Sequence, residues 1–240
     1  MSNKINAWDK ILPNQSFNAD QYSGTASIEQ KLYETILWSS GIQAPQAKFQ
    51  IERTDLFSIE EMASNAVALG FITWLLRLTG ARRVLEIGAF VGVSTMYFAE
   101  ALPADGKVVT IEKFDHFAAI ARRNFAANGL TDRIELVEGD AHEVLPSVKD
   151  KGPFDFAFID GNKERYADYF RLVEPMMAPN GIVAVDDAFF HGDALTDHPR
   201  TDKGRGVRQV LELASNAKNW HRIALPLSNG LLLMHRATAN

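Results

Sequence analysis

From Arg82 onward, short apolar runs alternate with amphipathic stretches. The runs are too short for helices and are bounded by polar residues, which is typical of buried strands. The stretches between them place apolar residues at helical spacing. The predicted strands are Arg83–Ile87, Val108–Ile111, Ile134–Val137, Phe154–Ile159, Ile182–Val185, Arg222–Leu225 and Leu231–His235. The predicted helices are Ser94–Leu102, His116–Asn128, Glu143–Lys149, Arg165–Met177 and Gly206–Ala217.

Alternating strands and helices of this kind indicate an α/β fold with a parallel sheet and helices on both faces. The last two strands are joined only by Ser228-Asn229-Gly230, which leaves no room for a helix. Asn-Gly is a strong signal for a hairpin, so the seventh strand should be antiparallel to the sixth. We therefore predict a Rossmann-like, doubly wound sheet of seven strands, mostly parallel with an antiparallel last strand.

The part of the chain before the first strand predicts extra N-terminal helices. Apolar residues share one helical face over Ile28–Ser39. A second helix is expected from about Ile59 to Leu78, with Ser58 as its N-cap and Gly80 at its end.

The chain shows no internal repeat and no low-complexity linker, so we predict one domain over residues 1–240. Within it, residues 1–57 should form an N-terminal arm with helices, and residues 58–240 the cofactor-binding and catalytic core. The first 24 residues are polar and suggest an arm or a lid.

The composition of the chain excludes several classes of function and kinds of site. The chain has 25 basic and 30 acidic residues and no block of Lys and Arg, so a nucleic-acid footprint is not visible. It has no cysteine, which excludes disulfides, thiolate metal sites and cysteine nucleophiles. Neither an apolar signal core nor a membrane-spanning apolar run is present. We expect a cytoplasmic protein with no membrane partner.

A glycine-containing turn follows the first predicted strand, within Val84–Thr95. Its glycines, Gly88 and Gly92, have the spacing G-x-x-x-G and not G-x-G-x-x-G, so no pyrophosphate cradle is implied. Glu112 lies at the end of the next strand, about twenty residues further on, where an acid binds a ribose in dinucleotide-binding folds. The pattern predicts a cofactor that carries a ribose and no phosphate.

Carboxylates stand at the ends of five successive predicted strands. An open sheet binds its ligand outside the carboxyl ends of its strands. Any one of these acids is as well explained as a loop start or helix cap, but the whole set indicates a site. The acids are Glu86, Glu112, Asp140, Asp160, Asp186 and Asp187.

Asp160, Asp186 and Asp187 follow two apolar strands that should be neighbours, about 4.8 Å apart. Carboxylates that close repel each other unless a cation lies among them. Ligation by carboxylate oxygens alone suits Mg²⁺ and not zinc. His191 and His198 follow in the next loop, where solvated side chains are a simpler interpretation than metal ligands.

Lys163 lies three residues after Asp160, so it is a candidate general base; the alternative is a surface lysine at a helix start. Phe189 and Phe190 come just after Asp187, and at least one of them is a candidate wall of the substrate site.

Taken together, these segments resemble class I S-adenosylmethionine-dependent methyltransferases. More narrowly, residues from Ile59 to Arg236 resemble the cation-dependent O-methyltransferases, which include catechol and caffeoyl-CoA O-methyltransferases. The matching segments are Val84–Gly88 with Gly92 and Ser94 for the cofactor motif, Glu112 for the ribose acid, Gly139–His142 near the adenine, Asp160–Lys163 for the first metal aspartate and the catalytic lysine, and Asp186–Asp187 for the second metal pair. Met62 resembles the methionine that precedes the cofactor, and Ala63 to Val67 would line the same side.

The resemblance implies transfer of a methyl group from S-adenosylmethionine to a hydroxyl of a small catechol-like or vicinal-oxygen substrate, assisted by a divalent cation, Mg²⁺. It implies Lys163 and Asp160 as catalytic residues, Asp160, Asp186 and Asp187 as metal ligands, and a homodimer. The implied cofactor-binding residues are Met62, Glu86, Gly88, Ser94, Glu112, Asp140, Ala141 and Asp160. Asp187 departs from the family, which commonly has Asn there, and the added charge would strengthen metal binding or hold Lys163 protonated.

Three alternatives stay open. One is a methyltransferase of the same fold that acts on tRNA or on a protein; the acidic net charge disfavours tRNA, although a local basic patch is conceivable. Its members would be Arg122, Arg123, Lys203, Arg205 and Arg208. A nicotinamide-dependent oxidoreductase is disfavoured by the missing G-x-G-x-x-G and by the aspartate cluster. A non-catalytic relative is disfavoured by the presence of Lys163 and the acids.

Overall fold

The computed structural model describes residues 28–58 and 62–236, with side chains from Lys31 onward. Its contacts divide the chain after Ile42 into two compact units. In the first unit, helix α1 spans Ile28–Ser40, which confirms the helix predicted there. Gly41 follows the last helical residue, and its left-handed φ of 65° turns the chain out of the helix. The amide of Ile42 then donates to the carbonyl of Leu37 at 3.0 Å, which closes the end of the helix.

The second unit is built on a sheet of seven strands, all within the described residues. Their order across the sheet is β3-β2-β1-β4-β5-β7-β6. The first five pair in parallel, whereas β7 is antiparallel to both β5 and β6, as the Asn-Gly turn predicts. The strands are β1 Arg83–Ile87, β2 Lys107–Glu112, β3 Ile134–Glu138, β4 Phe154–Ile159, β5 Met177–Val185, β6 Trp220–Leu225 and β7 Leu231–Arg236.

Helices connect and cover these strands. They are α2 Pro45–Lys48, α3 Ala66–Thr79, α4 Val93–Ala101, α5 Asp115–Ala127, α6 Ala141–Val144, α7 Tyr166–Val173 and α8 Asp202–Asn216. Short 3₁₀ turns lie at Thr131–Arg133, Leu145–Lys151, Lys163–Arg165, Glu174–Met176 and Phe190–Leu195. In the described part of the chain, no helix is long and apolar enough to cross a membrane.

The helix predicted from Ile59 to Leu78 is not continuous, because residues 63–65 are not helical. Helix α3 begins at Ala66, because the Asn65 side chain accepts a hydrogen bond from the amide of Val67 at 2.8 Å and so caps it. Its end at Gly80 is confirmed, with a left-handed φ of 65°. The first predicted turn, residues 59–61, lies outside the described residues.

Two other predicted helices are shorter than expected. The helix predicted over Glu143–Lys149 is the single turn α6 followed by a 3₁₀ turn that contains Pro146, which has no amide hydrogen to donate. The helix predicted to reach Met177 ends at Val173, and Pro175 stands in the 3₁₀ turn that follows it.

The core forms two layers, one on each face of the sheet. Side chains of one strand point alternately to the two faces. Phe156 and Phe158 of β4 pack in one layer, and Ala157 and Ile159 pack in the other. Because both faces are covered, β4 is apolar at almost every position, which is why it reads as a continuous run in the sequence. The parallel strands carry their carboxyl ends to one edge of the sheet.

Candidate functional site

The turn after β1 depends on glycine at its first position. Gly88 has a φ of 98°, and a Cβ there would lie 2.8 Å from the carbonyl carbon of Asp160 and closer still to its oxygen. Its amide donates to the carbonyl of Ile111 at 2.9 Å. Gly92 also has a positive φ, 88°, and its missing Cβ leaves room for the ring of Phe125. The turn is thus in backbone contact with the end of β4.

Glu86 lies beneath this turn and is fully buried. Its carboxylate accepts hydrogen bonds from the hydroxyls of Ser94 and Thr110, both at 2.6 Å, and from that of Thr95. Burial raises the pKa of Glu86, and the three hydroxyl donors oppose that rise. Glu86 and Ser94 therefore hold the turn and the start of α4 together from inside, and a direct contact of either with the cofactor stays a prediction.

Glu112 closes the other side of the turn. One carboxylate oxygen accepts from the amide of Phe90 at 2.8 Å and the other from the amide of Phe114 at 2.9 Å. Burial raises the pKa of Glu112, although the backbone amides stabilise its charged form. The carboxylate is thereby fixed at the carboxyl end of β2, next to the glycine turn.

Asp140 follows β3 and caps α6 by accepting from the amide of His142 at 3.0 Å. The ammonium of Lys113 lies 2.9 Å from its other oxygen and lowers the pKa of Asp140. Ala141 is buried beside it, and Gly139 donates its amide to the carbonyl of Glu112 at 2.9 Å. These contacts bring the ends of β2 and β3 together, which is where an adenine is expected.

The aspartates at the ends of β4 and β5 share partners. The hydroxyl of Ser64 donates to Asp186 Oδ2 at 2.7 Å, and this Ser64 hydroxyl also lies 3.5 Å from Asp160 Oδ2. Burial raises the pKa of Asp160 well above its ordinary value and also raises that of Asp186, and the neighbouring carboxylates add to both shifts. Ser64 comes from the segment just before α3, so that segment contributes directly to the cluster.

Lys163 joins the cluster from the turn after β4. Its ammonium lies 2.8 Å from Asp187 Oδ2 and 3.4 Å from Asp160 Oδ1. Burial by itself lowers the pKa of Lys163, but the aspartates outweigh it and hold that pKa above its ordinary value. Lys163 is therefore protonated in this arrangement.

The sequence alone did not single out two residues of this cluster. Tyr166 is fully buried at the start of α7, and its hydroxyl lies 3.4 Å from Asp160 Oδ1. Its position three residues after Lys163, on the same helical side, is the signal that was available. Ser64 was included only within the range expected to line the cofactor. Met62, predicted beside the cofactor, is 46% exposed.

The described residues contain no group of three or more His, Asp or Glu side chains arranged to hold a metal ion. Asp160, Asp186 and Asp187 instead bind Ser64 and Lys163. His191 and His198 are exposed, in keeping with solvated loop residues. Phe189 and Phe190 are half-buried and pack against the core layer behind the site.

An open cleft of about 590 Å³ lies elsewhere, between α7, α8 and the start of β6. Phe170, Glu174 and Trp220 are among its lining residues, and none of the site residues predicted from the sequence lines it. Most of those predicted residues lie at the carboxyl ends of the strands.

Comparisons with known proteins identify the family of this chain. A family model described as O-methyltransferase matches residues 46–237. A catechol O-methyltransferase from Mycobacterium tuberculosis is 32% identical over 169 residues, which cover 70% of this chain and 76% of that protein. A catechol O-methyltransferase from Niastella koreensis is 32% identical over 141 residues, which cover 58% of this chain and 64% of that protein. The O-methyltransferase TomG from Streptomyces achromogenes, solved in complex with S-adenosylmethionine, superposes with a TM-score of 0.73 at 27% identity, covering 88% of this chain and 99% of TomG. The chain belongs to the O-methyltransferase family and is an S-adenosylmethionine-dependent O-methyltransferase.

Proposed function

We propose that this enzyme methylates a hydroxyl of a small acceptor with two neighbouring oxygens, such as a catechol, and that a divalent cation, Mg²⁺, assists. The observation that carries the proposal is the largely buried cluster of Asp160, Asp186, Asp187 and Lys163, in which Asp160 is in backbone contact with the Gly88 turn. The acceptors named for the two bacterial relatives are catechols, which supports the choice of acceptor class.

The chemistry of the cluster fits a hard cation. All three acidic side chains offer carboxylate oxygens, the ligands that Mg²⁺ prefers. Burial and mutual repulsion raise the pKa of Asp160 and of Asp186, so the negative charge there is poorly compensated. Asp160, Asp186 and Asp187 would hold the ion through the carboxylate oxygens that now bind Ser64 and Lys163. A bound divalent cation supplies positive charge that lowers the pKa of an acceptor hydroxyl.

Lys163 is the proposed general base. While it is paired with Asp160 and Asp187 it keeps its proton, because both carboxylates favour the ammonium. With a cation on these carboxylates, that support would weaken, so Lys163 would release its proton to solvent. The neutral Lys163 Nζ would then take the proton of the acceptor hydroxyl. The acceptor oxygen then forms a bond to the methyl carbon as the carbon–sulfur bond of the cofactor breaks, and S-adenosylhomocysteine leaves.

The remaining residues bind and orient. We propose that Glu112 holds the cofactor ribose and that Asp140 and Ala141 lie beside its adenine. Gly88 lets the cofactor approach backbone at the end of β1. Met62, Ser94 and Asp160 complete the predicted cofactor-binding set, and Glu86 acts by holding the turn.

The surface charges do not favour tRNA as the acceptor. Members of the suspected basic patch have acidic partners: Arg122 pairs with Glu138 at 2.6 Å and Arg208 pairs with Glu212 at 2.8 Å. Arg123 likewise pairs with Glu52, and Arg205 with Asp202. A small-molecule acceptor is the better proposal. A homodimer and a cytoplasmic location remain predictions, and light scattering of the purified protein tests the first.

The decisive assay measures methyl transfer from labelled S-adenosylmethionine to catechol, with Mg²⁺ and with EDTA. We expect turnover in Mg²⁺, loss of turnover in EDTA, and restoration by excess Mg²⁺. Asp186→Asn should lose turnover while it still binds S-adenosylhomocysteine, and Asp150→Asn, which lies in the turn before β4, is its control. Undiminished turnover in EDTA would show that the reaction needs no cation. Methyl transfer to tRNA but not to catechol would show that the proposed acceptor class is wrong.

A further inference from the structure

The turn between β6 and β7 touches the loop that carries Asp187. Asn229 Nδ2 donates to Asp187 Oδ1 at 3.0 Å, and Asn229 Oδ1 accepts from the amide of His191 at 2.5 Å. The carbonyl of Asn229 also accepts from the amide of Phe189 at 2.8 Å. One residue of the turn thus binds the loop at its first residue, its middle and its last residue.

The loop from Asp187 to His191 has a backbone that needs such support. Asp187, Phe190 and His191 have φ values of 52°, 41° and 52°. Residues with a Cβ seldom adopt positive φ, because Cβ then crowds the backbone, and they keep it where surrounding contacts enforce it. The contacts from Asn229 reach two of these three residues.

Gly230 brings the turn close enough to make these contacts. It has a φ of 96°, and a Cβ there would lie 2.5 Å from Cγ of Phe189 and 2.8 Å from its amide nitrogen. Its carbonyl accepts from the amide of Ala188 at 2.9 Å. The Asn-Gly pair is therefore more than a hairpin turn, since both residues pack directly on the loop.

The two oxygens of the Asp187 carboxylate have different partners. Oδ1 accepts from Asn229 and Oδ2 binds the ammonium of Lys163 at 2.8 Å. The amide of Asn229 therefore sets the rotation of the carboxylate, and with it the oxygen that Lys163 meets.

We propose that Asn229 is a positioning residue of the methyl-acceptor site, which acts by fixing the Asp187 carboxylate. This inference rests on the proposed function, in which Asp187 binds a cation and Lys163 takes a proton. Asn229 touches neither the acceptor nor the cofactor in this account. Its role is to keep Asp187 and the following loop in one conformation during turnover.

The test compares Asn229→Ala and Asn229→Asp with Ser228→Ala, an exposed neighbour in the same turn. Alanine removes both side-chain contacts. Aspartate keeps an oxygen that accepts from the His191 amide, but it replaces the donor to Asp187 with a like charge. Turnover of catechol in Mg²⁺ should fall about tenfold or more in both Asn229 variants, as is usual when a partner of a metal-binding side chain is removed. The affinity for S-adenosylhomocysteine, measured by calorimetry, should be unchanged.

Amide hydrogen exchange provides a readout that needs no activity. The Phe190 amide, which donates to the carbonyl of Asp187 at 2.9 Å, should exchange faster in both Asn229 variants. The His191 amide should lose protection in Asn229→Ala and keep it in Asn229→Asp. Ser228→Ala should match the wild type in every measurement.

Wild-type turnover in both Asn229 variants would overturn the inference, as would an equal loss in Ser228→Ala. A parallel loss of turnover and of S-adenosylhomocysteine affinity would also overturn it, because it would show a general structural role. If the wild-type enzyme does not methylate catechol, the proposed function fails by itself. The exchange data then decide on Asn229: faster exchange at Phe190 with protected His191 in Asn229→Asp supports the inference, and unchanged exchange at Phe190 rejects it.

Discussion

Replacement of Gly88 by alanine should be among the most damaging small changes in this protein. The new Cβ would meet the carbonyl group of Asp160, with its carbonyl carbon 2.8 Å away, and the backbone there cannot swing aside as a side chain can. A φ of 98° is in addition unfavourable for alanine. The strained backbone costs about 1–2 kcal/mol, and forced overpacking costs about 1–3 kcal/mol. We expect a loss of about 2–5 kcal/mol, a large part of the free energy of unfolding of a typical domain.

Two other glycines provide graded controls. Gly129 has a φ of 67° with nothing within 4 Å of an added Cβ, so Gly129→Ala should cost only the backbone strain. Gly92 has a φ of 88°, but its neighbour is the ring of Phe125, which can move in part. The expected order of destabilisation is Gly129, then Gly92, then Gly88.

Urea denaturation gives the free energy of unfolding of each variant, and calorimetry gives its affinity for S-adenosylhomocysteine. Gly88→Ala should lose both stability and cofactor affinity, whereas Gly129→Ala should keep its affinity. Equal stabilities for Gly88→Ala and Gly129→Ala would refute the reasoning, because the contact with Asp160 is the feature that separates them.

Three further predictions follow from the site and its supports. Lys163→Met should lower turnover of catechol by about 10²-fold or more with little change in S-adenosylhomocysteine binding; a turnover that stays near the wild type would remove Lys163 as the base. Asn124→Ala should cost about 1–3 kcal/mol in urea denaturation, since this buried amide donates to the carbonyl of Val91 at 2.9 Å and accepts from the amide of Glu52 at 2.6 Å; an unchanged midpoint would contradict it. Because burial raises the pKa of Asp160 and of Asp186, the folded metal-free protein binds protons more tightly there than the unfolded chain does. Its stability should therefore fall as the pH rises from about 4 through the raised values, and Asp160→Asn should flatten this slope in urea titrations; an equal slope in both proteins would be inconsistent with the assignment.

Much of the sheet was predictable because its strands are covered on both faces. β1 and β4 are short and mostly apolar, and their predicted limits, Arg83–Ile87 and Phe154–Ile159, are those of the structure. The break before α3 was missed because Ser58 and Asn65 are both good N-caps, and the local sequence does not show that Asn65 begins a helix of its own.

The acids at the strand ends were also predictable, but their partners were not. The sequence places Glu86 near the edge of the sheet where a ligand is expected. In the structure the hydroxyl of Thr110, from the neighbouring strand, donates to the Glu86 carboxylate, so Glu86 supports the turn from inside. Asn229 is visible in the sequence as part of a turn. Its contact with Asp187 joins residues 42 positions apart, a distance that no local pattern records. Pairings of this kind depend on how the strands are ordered in space.

The position of β7 has a consequence for synthesis of the enzyme. This strand lies between β5 and β6, although it follows both of them in the chain. A nascent polypeptide that stops after β6 leaves one side of β5 uncovered and lacks the Asn229-Gly230 turn. The corner that carries Asp186 and Asp187 is thus completed only after the last strand has left the ribosome. Shorter chains made earlier in translation have the Gly88 turn, which we propose for the methyl donor, but lack the complete corner that we propose for the acceptor.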